Sequence, residues 1–147
     1  MTYLKNLGTE EIEYRIALAD LSMTTYSQGA VYGISNATGN LSLSVSSGVI
    51  TLPAGRYMLE AYPYVNQATT SDEIVFTWQR DFGGSYSDMG ILGQVQVKDD
   101  DIGERDAAIA SFTIVENTNI RLIVKTLTST GTPTDEGGCV LIWKEHA

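Results

Sequence analysis

The residues from Ser47 to Val65 constrain the fold of this chain most, because they contain both a strand pattern and a corner. An apolar run, Val49–Leu52, leads into Pro53-Ala54-Gly55. Proline removes a backbone donor and glycine tolerates a positive φ, so the chain can turn there without strain. Beyond the corner, successive strand side chains point to opposite faces. One predicted face is buried and carries Tyr57, Leu59, Ala61, Pro63 and Val65, whereas the other carries Arg56, Met58, Glu60, Tyr62 and Tyr64.

Similar patterns recur at short intervals along the chain, separated by turns rich in Gly, Ser, Asn and Asp. Glu11–Asp20 also alternates, which favours a strand, with a short helix as the alternative. We expect a bulge at Gly93, a hairpin through Glu116-Asn117-Thr118, and both Trp78 and Trp143 in the core. The further predicted strands are Ala30–Ile34, Leu41–Val45, Glu73–Gln79, Ile91–Val97, Ala107–Val115, Asn119–Leu127 and Cys139–Trp143.

The number of these segments predicts an all-β chain, a single-domain antiparallel β-sandwich or jelly roll of about nine to ten strands. The intervening segments Asn36–Asn40, Asp81–Asp88 and Lys98–Glu104 are predicted turns or loops. Residues 1–9 have no clear period and are interpreted as an N-terminal arm, and residues 10–147 as the sandwich domain. An arm of this kind is expected to clamp a scaffold rather than to complete the core.

Composition excludes several classes of partner. The chain has 147 residues and a formal net charge of −9, and its nine basic residues are scattered, so a phosphate-binding groove is not expected. The lone cysteine, Cys139, cannot form an internal disulfide. No secretion signal or apolar run of membrane-span length is present. We therefore expect a protein made in a cytoplasm that has neither nucleic-acid nor membrane partners.

The sequence offers no recognisable catalytic or cofactor-binding pattern. The sole histidine, His146, lies next to the last residue, and Cys139 opens an apolar strand and is interpreted as a packed side chain. Asp81–Gly84 lacks the lysine and the helix of a phosphate-binding loop. We therefore predict a protein that is not an enzyme and has no cofactor.

One acidic cluster raises the possibility of a calcium ion. Asp99, Asp101 and Glu104 could supply oxygens around Gly103. The full spacing of a calcium-binding loop is absent, because no acidic residue occupies its twelfth position. We therefore interpret the cluster as a solvated acidic turn and predict no metal site.

The order of these elements resembles the jelly-roll head of the tumour-necrosis-factor and complement-C1q superfamily. Gly55-x-Tyr57-x-Leu59 is similar to the Gly-x-Tyr-x-Phe strand of that family. Ala108–Lys125 resembles its paired late strands, and Gly137–Leu141 resembles its closing strand. The resemblance implies the jelly-roll fold and a trimer. Because a signal, a collagen stalk and paired cysteines are lacking, it points to stand-alone heads of bacteriophage virion proteins.

Two functions follow from this resemblance as expectations. The first is a virion structural protein that decorates or cements a phage capsid as a symmetric oligomer, with the major capsid protein or another virion protein as partner. The alternative is a receptor-binding fibre or tail tip that recognises a glycan. Such a tip would use the loops Asn66–Asp72 and Asp81–Asp88, with Tyr62, Tyr64 and Tyr86 as the more accessible aromatic residues.

The outer face of the strand after Gly55 predicts how the chain assembles. Aromatic residues and methionine are enriched at subunit contacts. We therefore predict a homo-oligomer whose contact is formed by Met58, Tyr62 and Tyr64, with Arg56 and Glu60 at its polar rim or paired across the symmetry axis. The family resemblance implies a trimer, and a dimer would bury the same face.

Overall fold

The computed structural model describes residues 13–23, 26–66, 72–98, 101–128 and 134–146. Within these ranges the chain forms eleven strands. The strands are β1 (Glu13–Ser22), β2 (Gly33–Gly39), β3 (Ser44–Ser46), β4 (Val49–Leu52), β5 (Gly55–Asn66), β6 (Asp72–Asp81), β7 (Tyr86–Lys98), β8 (Asp101–Asp106), β9 (Ala108–Ile114), β10 (Thr118–Thr128) and β11 (Thr134–His146).

The strands form two packed layers in which every described pairing is antiparallel. The first layer has the order β2-β1-β11-β5-β9, and the second has the order β3-β4-β10-β6-β7 with β8 paired to β7. A single pairing between Ile91 and Ile109 joins β7 to β9 and makes the ladder continuous. This arrangement confirms the predicted all-β antiparallel sandwich, with slightly more strands than the sequence pattern indicated.

Strand β1 settles the ambiguity of the N-terminal segment. Ala17, Ala19 and Leu21 are buried, whereas Tyr14 and Leu18 are exposed on the opposite side. The backbone of β1 pairs with both β11 and β2. The alternating burial and the pairing with two neighbouring strands establish that this segment is a strand. The helical alternative is therefore wrong for the described residues 13–22.

The inward residues of the two layers form the core. From β5 these are Tyr57, Leu59 and Ala61, as predicted. Trp78 of β6 is completely buried, and its indole Nε1 donates a hydrogen bond of 3.1 Å to the backbone oxygen of Ala108 in the facing layer. The other fully buried large side chains are Tyr32, Ile50, Leu52, Ile74, Phe76, Ile114, Ile120, Leu122 and Ile142.

The predicted hairpin between β9 and β10 is wrong. β9 pairs with β5 in the first layer, whereas β10 pairs with β4 and β6 in the second. Ala110 and Ile114 of β9 and Leu122 of β10 are buried from opposite sides of the core, so the short connection at residues 115–117 crosses between layers. A sequence pattern reports alternation but does not distinguish a hairpin from a crossing of the sandwich.

Three predicted turns are shorter than the sequence suggested. Most of Asn36–Asn40 belongs to β2, where Asn36 adopts a positive φ of 53°. The loop predicted at Asp81–Asp88 is reduced to residues 82–85. Residues 101–104 of the predicted acidic turn belong to β8, which pairs with β7. Short polar side chains are tolerated in edge strands, so turn composition alone overestimates loop length.

The expected irregularity near Gly93 is present. Phe76 pairs with Gly93 but Trp78 pairs with Met89, so β7 carries extra residues at 90–92 opposite a single residue of β6. Gly90 has a positive φ of 78° within this bulge. The bulge turns Ile91 and Leu92 outward, and they are 67% and 46% exposed.

The predicted arm at residues 1–9 lies outside the described residues. The carboxylates of Asp99, Asp101 and Glu104 and the imidazole of His146 likewise lie outside the described side chains. Across the described ranges no helix is long and apolar enough to cross a membrane.

Candidate interaction surface

The outward side of the first layer carries a broad band of apolar and aromatic side chains, which we call the apolar face. It arises because directly paired residues of neighbouring strands lie on the same side of a sheet. One row runs through Ile16, Trp143 and Met58, and the next runs through Leu18, Leu141, Glu60 and Ile109. The exposed members are Tyr14 (48%), Leu18 (44%), Met58 (37%), Tyr62 (39%) and Ile91 (67%).

The structure brings the five sequence-predicted contact residues together on this face. Met58, Tyr62 and Tyr64 alternate along β5 with the buried residues Leu59, Ala61 and Pro63. Arg56 is exposed and Glu60 is half-buried on the same side of the strand. The placement follows the predicted alternation, and the role of these residues in a subunit contact stays a prediction.

Several polar groups of the apolar face have partners within one subunit. The indole Nε1 of Trp143 donates a hydrogen bond of 3.0 Å to the Glu60 carboxylate. Burial and the adjacent Glu60 carboxylate, to which it hydrogen-bonds, raise the pKa of the Tyr62 phenol. The Nε atom of Arg56 lies 3.6 Å from a Glu145 carboxylate oxygen. A face whose charges have local partners can be covered without leaving an isolated charge unpaired.

Trp143 corrects one prediction and completes this surface. It was expected in the core, but it is half-buried on the apolar face, where its ring meets Tyr14 edge-on at a centroid distance of 6.1 Å. Its neighbour Ile142 points inward instead. The run from Cys139 to Trp143 is apolar on both sides, so alternation could not show which residues face inward.

The residues contributed by β1 and β11 were missed. Tyr14, Ile16 and Leu18 alternate with the buried alanines Ala17 and Ala19. The sequence signal that could have revealed them is side-chain size, because the large residues of this segment lie on one side of the strand and the small alanines lie on the other. Recognising it requires knowing that β1 lies beside β11, which is a long-range pairing.

A groove opens at one end of the apolar face, beside the turns that precede β5 and follow β9. Its volume is about 460 Å³. It is lined by Tyr14, Arg56, Tyr57, Met58, Ser111, Trp143 and Glu145. Aromatic walls and a charged rim distinguish this groove from the rest of the apolar face.

The outward side of the second layer is polar by contrast. Gln79 accepts a hydrogen bond of 2.8 Å from Nε of Arg121 and donates one of 2.9 Å to Asp88. Asp88 also pairs with Lys125, and these two partners hold the pKa of its carboxyl group below the ordinary value. The Arg121 guanidinium lies 3.7 Å from the centroid of the Tyr86 ring. This coverage leaves Tyr86 less accessible for sugar stacking than expected.

Candidate catalytic and metal-binding residues remain dispersed. Among the described residues no group of three His, Cys, Asp or Glu side chains is placed to hold a metal ion. Cys139 is half-buried rather than packed in the core, and it pairs with Tyr62 on the apolar face. The inward side chain at this point of β11 is Val140 instead.

Comparisons with known proteins identify the fold. No family model matches the chain, and no curated protein matches its sequence. Murine APRIL at pH 5.0 superposes with a TM-score of 0.58 at 10% identity, covering 88% of this chain and 98% of the other. The globular domain of zebrafish complement 1qA also gives 0.58 at 10% identity, with 93% and 98% coverage. The Eiger TNF of S. frugiperda gives 0.55 at 8% identity, with 90% and 93% coverage.

The chain has a TNF/C1q-like jelly-roll fold. This confirms the fold implied by Gly55-x-Tyr57-x-Leu59 and by the closing strand after Gly137 and Gly138. At these identities the likeness establishes the architecture and no more.

Proposed function

We propose that this protein is a non-enzymatic structural head that functions as a homo-oligomer assembled through the apolar face. One observation carries the proposal: the two layers have outer faces of opposite character. Tyr14, Leu18, Met58 and Tyr62 lie exposed on one face, whereas hydrogen-bonded polar groups cover much of the other. Soluble monomers rarely expose a contiguous apolar patch larger than a few hundred Å².

The proposed contact includes Met58, Tyr62 and Tyr64, as the sequence predicted, with Tyr62 near its middle and Met58 towards one end, and it extends to Leu18 and Leu141. Arg56 lies towards its rim, while Glu60 enters the contact already bonded to Trp143. Burial of an apolar centre with a polar rim is the usual composition of a subunit contact. A trimer is proposed from the family resemblance, and a dimer would cover the same residues.

The setting we propose is a phage virion, in which the oligomer decorates or cements the capsid. Support comes from the resemblance to stand-alone virion heads and from the dispersal of potential catalytic groups among the described residues. The partner would be the major capsid protein or another virion protein. A glycan-recognising fibre tip is the alternative, and the groove on the apolar face favours it.

Two measurements test the proposal separately. Light scattering of the purified chain is expected to give a mass that is a small multiple of the 16.0 kDa subunit. Co-sedimentation with heads of the encoding phage is expected to deplete the chain from solution, and electron microscopy should then place it on the shell. A monomeric mass contradicts the assembly, whereas an oligomer that never co-sediments contradicts only the capsid assignment.

A further inference from the structure

The groove at the end of the apolar face has the composition of a small-ligand site. Its volume of about 460 Å³ falls within the range of ordinary binding pockets. Trp143 and Tyr14 meet at an interplanar angle of 87° and form two aromatic walls. Met58 adds an apolar side chain and Ser111 a hydroxyl group.

The main aromatic wall is fixed before any ligand arrives. The indole Nε1 of Trp143 donates a hydrogen bond to the Glu60 carboxylate, which holds one edge of the ring in place. The Tyr14 ring contacts the indole edge-on and restricts it further. A preorganised ring loses little conformational entropy when a ligand stacks on it.

The charges at the rim select the class of ligand. Arg56 and Glu145 approach to 3.6 Å, and their side chains are 68% and 30% exposed, so both retain capacity for further hydrogen bonds. An anion would meet the Glu145 carboxylate and a cation would meet the Arg56 guanidinium. A wholly apolar ligand would remove water from both groups without replacing its hydrogen bonds. A neutral molecule with one apolar face and several hydroxyl groups can stack on the aromatic walls and hydrogen-bond to both charged groups of the rim.

We propose that this groove binds a neutral hexopyranose unit of a glycan. The apolar C–H face of the sugar ring stacks on Trp143 with Tyr14 alongside. The sugar hydroxyls donate to Glu145 and accept from Arg56, in charge-assisted hydrogen bonds that are stronger than neutral ones.

The proposal does not rest on the virion assignment, but it requires that the oligomer leave the groove open. The groove occupies one end of the apolar face and reaches inward as far as the row of Trp143, Met58 and Ser111. Leu18, Leu141 and Tyr62 lie in rows further from the turns. Met58 lies at the boundary between the groove and these rows. A subunit contact centred on the inner rows leaves the groove open at the rim.

The test uses methyl glucoside, methyl galactoside and methyl mannoside as probes of the full chain. Of the two tryptophans, Trp78 is completely buried, so a change in fluorescence or in an indole N–H resonance reports on Trp143. We expect saturable binding of at least one probe with a Kd on the order of 1 mM. Trp143→Ala and Arg56→Gln are expected to weaken binding about tenfold or more, each measured by ligand-observed NMR. Phe82→Ala, which removes a 56% exposed aromatic outside the groove, should leave binding unchanged.

Three outcomes would overturn the proposal. The first is the absence of saturable binding by any probe up to about 50 mM. The second is binding that survives both Trp143→Ala and Arg56→Gln. The third is binding that appears only in Tyr62→Glu when that variant is monomeric, because the assembled protein would then cover the groove. Each outcome leaves the mass of the wild-type oligomer unaffected, so failure of this proposal is distinguishable from failure of the assembly.

Discussion

The two tryptophans show how the same residue type serves opposite purposes at two positions. Trp78 spans the core and bonds to the Ala108 carbonyl of the facing layer. Trp143 lies on the apolar face and bonds to the Glu60 carboxylate. Each indole N–H therefore has a polar partner. Water could replace the Glu60 carboxylate at the half-buried site, but it cannot reach the buried Ala108 carbonyl.

Trp78→Phe is therefore expected to lower the free energy of unfolding by about 2–4 kcal/mol, because it leaves a cavity and an unsatisfied carbonyl. Trp143→Phe is the matched control, since it removes an equivalent hydrogen bond at a half-buried site, and about 1 kcal/mol or less is expected. Urea denaturation followed by circular dichroism measures both. Equal losses for the two variants would contradict the core role of Trp78.

The lowered pKa of the Asp88 carboxyl group predicts that the stability of the fold depends on pH. Hydrogen bonds from Lys125 and Gln79 lower its pKa in the folded state. The stabilisation is therefore fully present well above the ordinary aspartate pKa of about 3.9, and it is lost as pH falls through that value towards the lowered pKa of the folded state. Asp88→Asn should reduce stability at pH 7, and the difference from wild type should shrink at pH 3.

The pH experiment has an internal control in Glu116→Gln, which neutralises an exposed carboxylate in the turn between β9 and β10. Urea midpoints of this variant should follow those of wild type at both pH values. If Asp88→Asn and wild type differ by the same amount at pH 7 and pH 3, the carboxylate is not the titrating group.

At the scale of elements, the bulge in β7 determines how the two layers join. Residues 90–92 are accommodated opposite a single residue of β6, and Ile91 thereby reaches Ile109 of β9. Gly90 allows this at a positive φ, and a Cβ there would overlap the Ile109 carbonyl oxygen. Both the backbone conformation and the close approach require glycine.

Gly90→Ala should therefore cost about 3 kcal/mol or more, the sum of a strained φ and a forced displacement of β9. Gly83→Ala separates the two effects. Gly83 has a similar positive φ of 69°, but nothing lies within 4 Å of its added Cβ, so about 1–2 kcal/mol is expected. Thermal unfolding measures the stability of both variants. If Gly90→Ala loses no more stability than Gly83→Ala, then β9 moves aside for the added Cβ without an energetic penalty.

Local sequence pattern predicted the elements better than their pairing. The buried side of β5 follows directly from the alternation of Tyr57, Leu59 and Ala61, because a period of two is a local property. The crossing between β9 and β10 does not, because a three-residue connection suits either a hairpin or a corner. The outward position of Trp143 was equally hidden, because the run from Cys139 to Trp143 is apolar at every position and gives no alternation to read.

The candidate site was predictable to the same extent. Met58, Tyr62 and Tyr64 share the outer side of one strand, so their common face could be derived from β5 alone. The remainder of the apolar face depends on β1 and β11 lying beside β5. The groove requires further that Tyr14 and Trp143 meet, and they are far apart in sequence. Pairing over such distances is a property of the whole fold.

For the molecule as a whole, the apolar face predicts an assembly that a single charge can break. Tyr62 is 39% exposed near the middle of the proposed contact, next to Glu60 and Cys139. Tyr62→Glu places a second carboxylate beside Glu60 and would bury it without a cationic partner, which opposes association. Because Tyr62 points away from the core, the fold should survive.

Tyr62→Glu is therefore expected to shift the oligomer to a monomer in light scattering, with an unchanged circular-dichroism spectrum. Phe82→Glu is the matched control, because it introduces the same charge at a 56% exposed aromatic outside the apolar face, and it should leave the mass unchanged. A wild-type monomer at high concentration would show that no second copy covers this face. If the wild type and both variants are instead oligomers of the same mass, the chain assembles through a surface other than the one centred on Tyr62.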